Sequence, residues 1–245
     1  MNKLPAITIS FWIMKICATT LGETAGDLLS MTMQIGYAIS SVILLSFFFV
    51  SLIAQLFSKK YNPFIFWAVI LSTSTAGTTI SDFMSRSMGF GYTISSLLLA
   101  TFLIITLVVW KATEKSLDVV HIKSIRAELF YWTSILFSNT LGTSLGDFLA
   151  DSSGLGFSGG AILIGSLLLV LVLFFYFTKI SPVILFWLGF ILTRPFGATF
   201  GDFMTKPVIK GGMNLGTIGA SLILFGILLT LIIMDLSKIR SLRRS

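Results

Sequence analysis

Asp27, Asp82, Asp147 and Asp202 close four copies of one short pattern. The copies read Gly22-Glu-Thr-Ala-Gly-Asp27, Gly77-Thr-Thr-Ile-Ser-Asp82, Gly142-Thr-Ser-Leu-Gly-Asp147 and Gly197-Ala-Thr-Phe-Gly-Asp202. Each places a hydroxyl residue (Thr24, Thr79, Ser144 or Thr199) three positions before the carboxylate. Carboxylates beside hydroxyls and helix carbonyls make an all-oxygen environment, which hard cations such as Mg²⁺, Ca²⁺ and Mn²⁺ prefer. Empty, such a cluster repels itself, and either a divalent cation or protons relieve the repulsion. The chemistry this pattern implies is therefore exchange of a metal for protons.

Two further charges fall inside the same apolar segments. Glu23 lies one turn before Asp27 and occurs only in the first copy, where Thr78, Thr143 and Ala198 are its counterparts. Arg194 stands mid-segment beside Pro195. An ionisable group within a membrane segment is costly and is by default a functional-site hypothesis. For Arg194 an ion pair with Glu23 or an aspartate and direct contact with a substrate are both open. Asn139 adds an amide in the third copy. Thr20, Thr24 and Asp27 stand at i, i+4 and i+7, with equivalents in copies two and three, a spacing that gathers them on one helix face. Lys15 is expected to snorkel to the cytoplasmic surface, and Arg86 and Asp151 to lie in outer loops.

The elements that must position these residues are repeats. An aromatic–Trp pair precedes every Asp, with Trp12, Trp67, Trp132 and Trp187 each 15 residues upstream. A glycine follows each Asp by 9 residues, at Gly36, Gly91, Gly156 and Gly211. Each repeat reads as two helices. The first run over about 8–29, 63–84, 128–149 and 183–204, and the second, almost purely apolar, over about 36–57, 91–111, 157–178 and 213–235. We expect repeats at 1–60, 61–115, 126–180 and 181–236 of a single transmembrane domain, with a central cytoplasmic linker at 112–127. Copies one and three share Leu-Gly-x-[Thr/Ser]-x-Gly-Asp, and copies two and four share Asp-Phe-Met, so the order is ABAB. The expected fold is all-α: a polytopic membrane protein of eight transmembrane helices in four parallel two-helix repeats. Its first helices form an inner polar ring and its second helices an outer apolar ring.

Composition agrees with that class. Of 245 residues, 55% are hydrophobic and 11% charged, against about 25% charged in soluble domains. One Cys and one His exclude a disulfide framework within one chain and a His-cluster zinc site. No cleavable signal is expected, because the first apolar segment carries the first copy of the motif. The net charge of +7 reads as positive-inside topology rather than nucleic-acid binding. Twelve Lys and Arg residues flank the repeats, among them Lys3, Lys123, Arg126, Arg243 and Arg244, and only Arg86, Lys206 and Lys210 lie in loops within repeats. Both termini should then be cytoplasmic, in the inner (plasma) membrane, with the tryptophans at the cytoplasmic interface keeping one end wet.

The fourfold Gly-x-Thr-x-Gly-Asp pattern resembles a bacterial family of uncharacterised integral membrane, or membrane-anchored, proteins, over the whole chain. More loosely, Glu23-Thr-Ala-Gly26-Asp27 resembles the Glu-x-Gly-Asp motifs of cation/proton exchangers of the Golgi manganese transporter family. It has one residue more between Glu and Gly, and the other three copies lack the Glu. That resemblance implies acidic residues beside glycines on facing helices, handling Mn²⁺ or Ca²⁺. Enzyme chemistry is not expected. Thr24, Thr79, Ser144 and Thr199 stand where an intramembrane aspartyl protease needs Gly, His121 falls in the central loop away from any nucleophile, and no Walker A pattern occurs. The expected function is transport of a cation, a divalent metal such as Mn²⁺, with the four aspartates and Glu23 as ligands, the four hydroxyls as secondary donors, and Asn139 and Arg194 on the substrate pathway. The expected partners are the lipid bilayer, the metal and protons, with no cofactor and no nucleic acid. The alternatives are a proton-coupled carrier of a small organic solute and a non-transporting membrane scaffold.

Overall fold

A computed structural model of the chain describes residues 3–119, 122 and 124–242. His121, Lys123, Arg243 and Arg244, assigned above to cytoplasmic loops, lie outside the described residues. Among the described residues the chain forms eight α-helices: α1 (Ile9–Asp27), α2 (Tyr37–Phe57), α3 (Pro63–Asp82), α4 (Gly91–Glu114), α5 (Ile125–Asp147), α6 (Gly156–Phe177), α7 (Pro182–Thr205) and α8 (Gly216–Leu242). Three of the odd-numbered helices start where a side chain satisfies the first free N–H groups. Thr8 accepts from the Phe11 amide, Asn62 from Phe64 and Ser124 from Ala127. α7 begins at Pro182 without a side-chain cap.

The even-numbered helices follow glycines in a conformation that side chains rarely adopt. Gly36, Gly91 and Gly156 have φ of 83°, 69° and 67°. The fourth repeat departs from the expected spacing. Gly211 also has positive φ, but it closes a short 3₁₀ turn, Val208–Lys210, and α8 starts only at Gly216, which has φ 68°. The turn after Asp202 is thus five residues longer than its three counterparts.

Packing is cyclic. α1, α3, α5 and α7 form a closed ring in which each touches two neighbours. α2 lies on α3, α4 on α5, α6 on α7, and α8 returns to α1. Each outer helix therefore covers the inner helix of the following repeat, so no two-helix repeat buries its own core alone. The motif glycines make the inner ring close-packed. A Cβ on Gly22 would strike Ser74, one on Gly77 would come 2.9 Å from the Thr140 amide nitrogen, one on Gly142 would strike Arg194, and one on Gly197 would come 2.6 Å from the Thr19 hydroxyl. Glycine at this position lets each inner helix approach the next, as small residues do between membrane helices.

Among the described residues six helices are long and apolar enough to cross a bilayer: α2, α3, α4, α6, α7 and α8. The chain is a membrane protein with internal repeats. α1 and α5 fall short by composition because their polar residues are many; those residues are buried within the ring, among them Lys15, Thr19, Glu23, Ser138, Asn139 and Thr143. The outer helices leave most of their apolar surface exposed, which suits lipid contact.

The tryptophans differ from expectation. Trp67 and Trp132 are fully buried, and Trp187 gives its indole N–H to the Leu117 carbonyl at 3.3 Å. They belong to an aromatic layer with Phe11, Phe66, Tyr131 and Phe186 that fills the ring at the N-terminal ends of the inner helices. Burying three of the four repeat indoles there, with Trp12 half-buried, removes more apolar surface from contact with water than an interfacial position would.

Candidate functional site

The residues that reach across the ring recur every four positions along each inner helix. Counting back from the aspartates, one layer holds Glu23, Thr78, Thr143 and Ala198, the next Thr19, Ser74, Asn139 and Arg194, and the next Lys15, Ile70, Ile135 and Phe190. Four residues overshoot one helical turn by about 40°, so such a stripe follows the ring interior only because the helices are inclined to one another.

Arg194 occupies the middle of the stack and is fully buried. Its guanidinium donates to Glu23 Oε2 at 2.9 Å, to the Thr78 and Thr143 hydroxyls at 2.5 and 2.6 Å, and to the backbone carbonyls of Thr19 and Ser74. These partners come from α1, α3 and α5, so one side chain of α7 ties the other three inner helices together. The Thr78 and Thr143 hydroxyls in turn lie 3.2 and 3.4 Å from Glu23 Oε2. The ion pair anticipated as one reading of Arg194 is present, and it commits nearly all of the guanidinium's donors.

Lys15 does not snorkel. It is fully buried, donates to Asn139 Oδ1 at 3.2 Å across the ring, and lies 3.8 Å over the Phe190 ring. Its side chain follows the ring interior because the aromatic layer blocks the route to the surface. Asn139 passes the contact on, donating to Thr73 Oγ1 at 2.9 Å.

The four aspartates are buried at the C-terminal ends of the inner helices. After Asp27, Asp82 and Asp147 the backbone widens into a π-helical turn, at Leu28–Thr32, Phe83–Ser87 and Phe148–Ser152. Such turns are rare and recur at functional sites. The second of them brings Arg86, four positions after its Asp, back over the ring end, while in the fourth repeat Lys206 reaches the same place directly from the end of α7. Arg86 and Lys206, placed by sequence in outer loops, are in fact clamps. Arg86 lies 2.8 Å from Asp82 Oδ1 and 3.7 Å from Asp147 Oδ2. Lys206 lies 2.9 Å from Asp27 Oδ2 and 3.0 Å from Asp202 Oδ1. Each cation thus joins the Asp of its own repeat to that of the following repeat, and the four carboxylates fall into two clamped pairs. Arg86 is flanked by the Tyr37 and Tyr92 rings, 6.0 and 5.8 Å from its guanidinium carbon, while Tyr92 donates to Asp151 at 3.1 Å. Burial opposes the charge on Lys206, but Asp202 and Asp27 more than reverse that and hold it above the ordinary lysine range.

Of the five carboxylates expected to act together, three converge. Oxygens of Glu23, Asp147 and Asp202 lie within 4.8 Å of one another. The motif hydroxyls do not join them. Thr24 meets Ser221 of α8 at 2.8 Å, Ser144 meets the Tyr92 carbonyl of α4, Thr199 packs against Gly160 of α6, and Thr79 bonds within its own helix. Thr24, Ser144 and Thr199 meet outer helices because they sit three residues from the Asp, whereas the interior stripe advances by four. The hydroxyls beside the carboxylates are instead Thr78 and Thr143. The signal that finds them is polarity at four and eight residues before Asp, broken only by Ala198.

Neither a curated protein nor a solved structure matches the chain. A family model described as "Repeat of Unknown Function (DUF347)" matches residues 10–61, 65–116, 130–181 and 185–238. Those four segments span each inner helix together with the outer helix that follows it, and the chain belongs to this repeat family.

Proposed function

We propose that this protein is a membrane transporter of a cation, a divalent metal such as Mn²⁺, exchanged for protons. The observation that carries the reading is the buried convergence of Glu23, Asp147 and Asp202 inside the ring, with Asp27 and Asp82 completing the same end. Charge supports it. Five carboxylates face three cations (Arg86, Arg194 and Lys206), while Lys15 lies one layer beyond Arg194. If all are ionised, two negative charges remain in that end of the stack, which one divalent cation or two protons neutralise. Arg86 and Lys206, both partly exposed, are tethered cations that hold the aspartates when no metal is bound and withdraw when one enters.

In this reading all eight helices span the inner (plasma) membrane, α1 and α5 included, since their polar side chains face other helices rather than lipid. Both termini lie in the cytoplasm by the distribution of Lys and Arg, and the aspartate end faces outward. Asn139 and Lys15 then continue the polar path toward the cytoplasm.

The test is metal-dependent thermal stabilisation of the purified protein in detergent. A bound ligand at a hundredfold excess over its Kd adds about 2.7 kcal/mol. Stabilisation by Mn²⁺, lost in Asp147→Asn, supports the reading; no stabilisation by Mn²⁺, Mg²⁺, Ca²⁺, Fe²⁺ or Zn²⁺ sinks it. One observation favours a second reading, a scaffold: every aspartate already has a basic partner. A scaffold predicts that each Asp→Asn change destabilises the fold and that no ligand alters its stability.

A further inference from the structure

The ring is not closed equally by its four outer helices. Counting from the glycine that starts each outer helix, positions 12, 16 and 19 are Phe48, Leu52 and Gln55 in α2, and Leu103, Leu107 and Trp110 in α4. In α8 they are Leu228, Ile232 and Asp235. These side chains turn onto the ring, and most are buried. In α4 the last of them seals a notch between aromatic residues of the adjacent inner helices α5 and α7. Trp110, 1% exposed, packs edge-on to Trp187 at 5.7 Å and beside Tyr131.

In α6 the same positions hold Leu168, Val172 and Phe175. Val172 is 50% and Phe175 58% exposed. The equivalent notch, between Phe186 of α7 and Trp12 of α1, is open. It forms a groove of about 510 Å³, within the size range of ligand pockets. Ile16, Leu171 and Gly189 are among its other walls. Gly189 contributes by omission: a Cβ there would come 3.2 Å from the Trp12 ring.

The occupant is set by the surroundings. The groove is apolar and opens on the lipid-facing side of a membrane protein, where hydrocarbon chains are the solvent. Its end is basic. Lys179 stands on the short turn joining groove-lining Tyr176 to groove-lining Pro182. That turn leads into α7, the one inner helix whose first N–H groups have no side-chain cap. Free N–H groups at a helix start, with a lysine beside them, attract a phosphate.

We propose that the groove between α6, α7 and α1 is a binding site for one anionic phospholipid, its acyl chain in the notch and its phosphate at Lys179 and the start of α7. The lipid completes the ring where Phe175 does not, as Trp110 does for the neighbouring repeat.

The test uses the full-length protein in neutral detergent, with dioleoyl-phosphatidylglycerol and dioleoyl-phosphatidylcholine as probes, read by native mass spectrometry and thermal unfolding. One phosphatidylglycerol should be retained per chain and should raise the unfolding temperature more than phosphatidylcholine does. Lys179→Gln, a change on an exposed turn, should weaken phosphatidylglycerol binding about fivefold, the worth of one lysine near an anionic headgroup, and leave phosphatidylcholine unaffected. Phe175→Trp, or Val172→Phe should the first variant not fold, should displace the lipid by filling the notch. Equal binding of the two lipids, an unchanged phosphatidylglycerol preference in Lys179→Gln, or retained lipid in the filled variant would overturn the proposal. So would a wild-type protein that retains no lipid, because α6 would then close the notch by itself.

Discussion

Glu23→Gln tests the charge stack at its tightest point. Arg194 is fully buried, and Glu23 is 3% exposed. Glutamine keeps the shape and one acceptor, so the guanidinium retains its bonds to Thr78, Thr143 and two carbonyls but loses its counter-ion. Weakening one hydrogen bond to a charged group costs about 1.5–3 kcal/mol. Leaving a buried charge uncompensated costs about 3–5 kcal/mol. The second effect should dominate because no water reaches the guanidinium to replace the carboxylate. Arg194→Met should cost a similar amount for the mirror-image reason, leaving Glu23 with only hydroxyl donors. The double variant Glu23→Gln/Arg194→Met should cost no more than either single change, since no charge remains to be stranded. The assay is unfolding in mixed micelles at increasing denaturing detergent, followed by the fluorescence of the five tryptophans. A cost below about 1 kcal/mol for Glu23→Gln, or a double variant whose cost equals the sum of the singles, would refute the reasoning.

Other expectations follow from the same packing. Gly77→Ala places a methyl against the α5 backbone, 2.9 Å from the Thr140 nitrogen, and should cost about 1–3 kcal/mol. Gly226→Ala in α8 meets nothing within 4 Å and should stabilise by up to about 1 kcal/mol through helix propensity; the same unfolding assay compares the two. The Lys206 clamp has a defined pH signature. Its pKa is raised in the folded protein, so its contribution is fully present below the ordinary lysine value of about 10.4 and is lost only as pH climbs beyond it. The stability difference between wild type and Lys206→Gln, measured by thermal unfolding, should therefore still be present at about pH 9 and shrink in stronger base. A difference already lost by about pH 9 would contradict the clamp.

Much of the architecture is legible in the chain because it repeats. The register of Trp, Gly and Asp locates four units without any reference to another sequence. The glycines before each Asp announce close helix packing, and the contrast between polar inner and apolar outer segments survives in the folded ring. The direction of the polar stripe is harder to read. Thr20–Thr24–Asp27 and Thr19–Glu23–Asp27 are both plausible helix faces ending at the same carboxylate. The inclination of the helices, a property of the closed ring rather than of one segment, chooses the second. Lys15 illustrates the same limit: a lysine one turn past a tryptophan can snorkel from an isolated helix, but the aromatic layer built by four repeats leaves it only the interior. Arg86 was hidden because a π turn, invisible in composition, folds it back over the ring, and Lys206 because α7 ends on it at the same distance from its Asp. The open notch at Phe175 is legible only by comparison with Trp110, which requires knowing that α4 and α6 occupy equivalent places.

Metal flux into proteoliposomes, recorded with an internal pH dye, tests the central claim most directly. The account predicts uptake or release of one divalent cation accompanied by opposite proton movement, both abolished in Asp147→Asn although that variant folds and inserts. Correctly folded wild-type protein that moves none of Mn²⁺, Mg²⁺, Ca²⁺, Fe²⁺ or Zn²⁺ would contradict it and leave the aspartates as ties that hold the ring together.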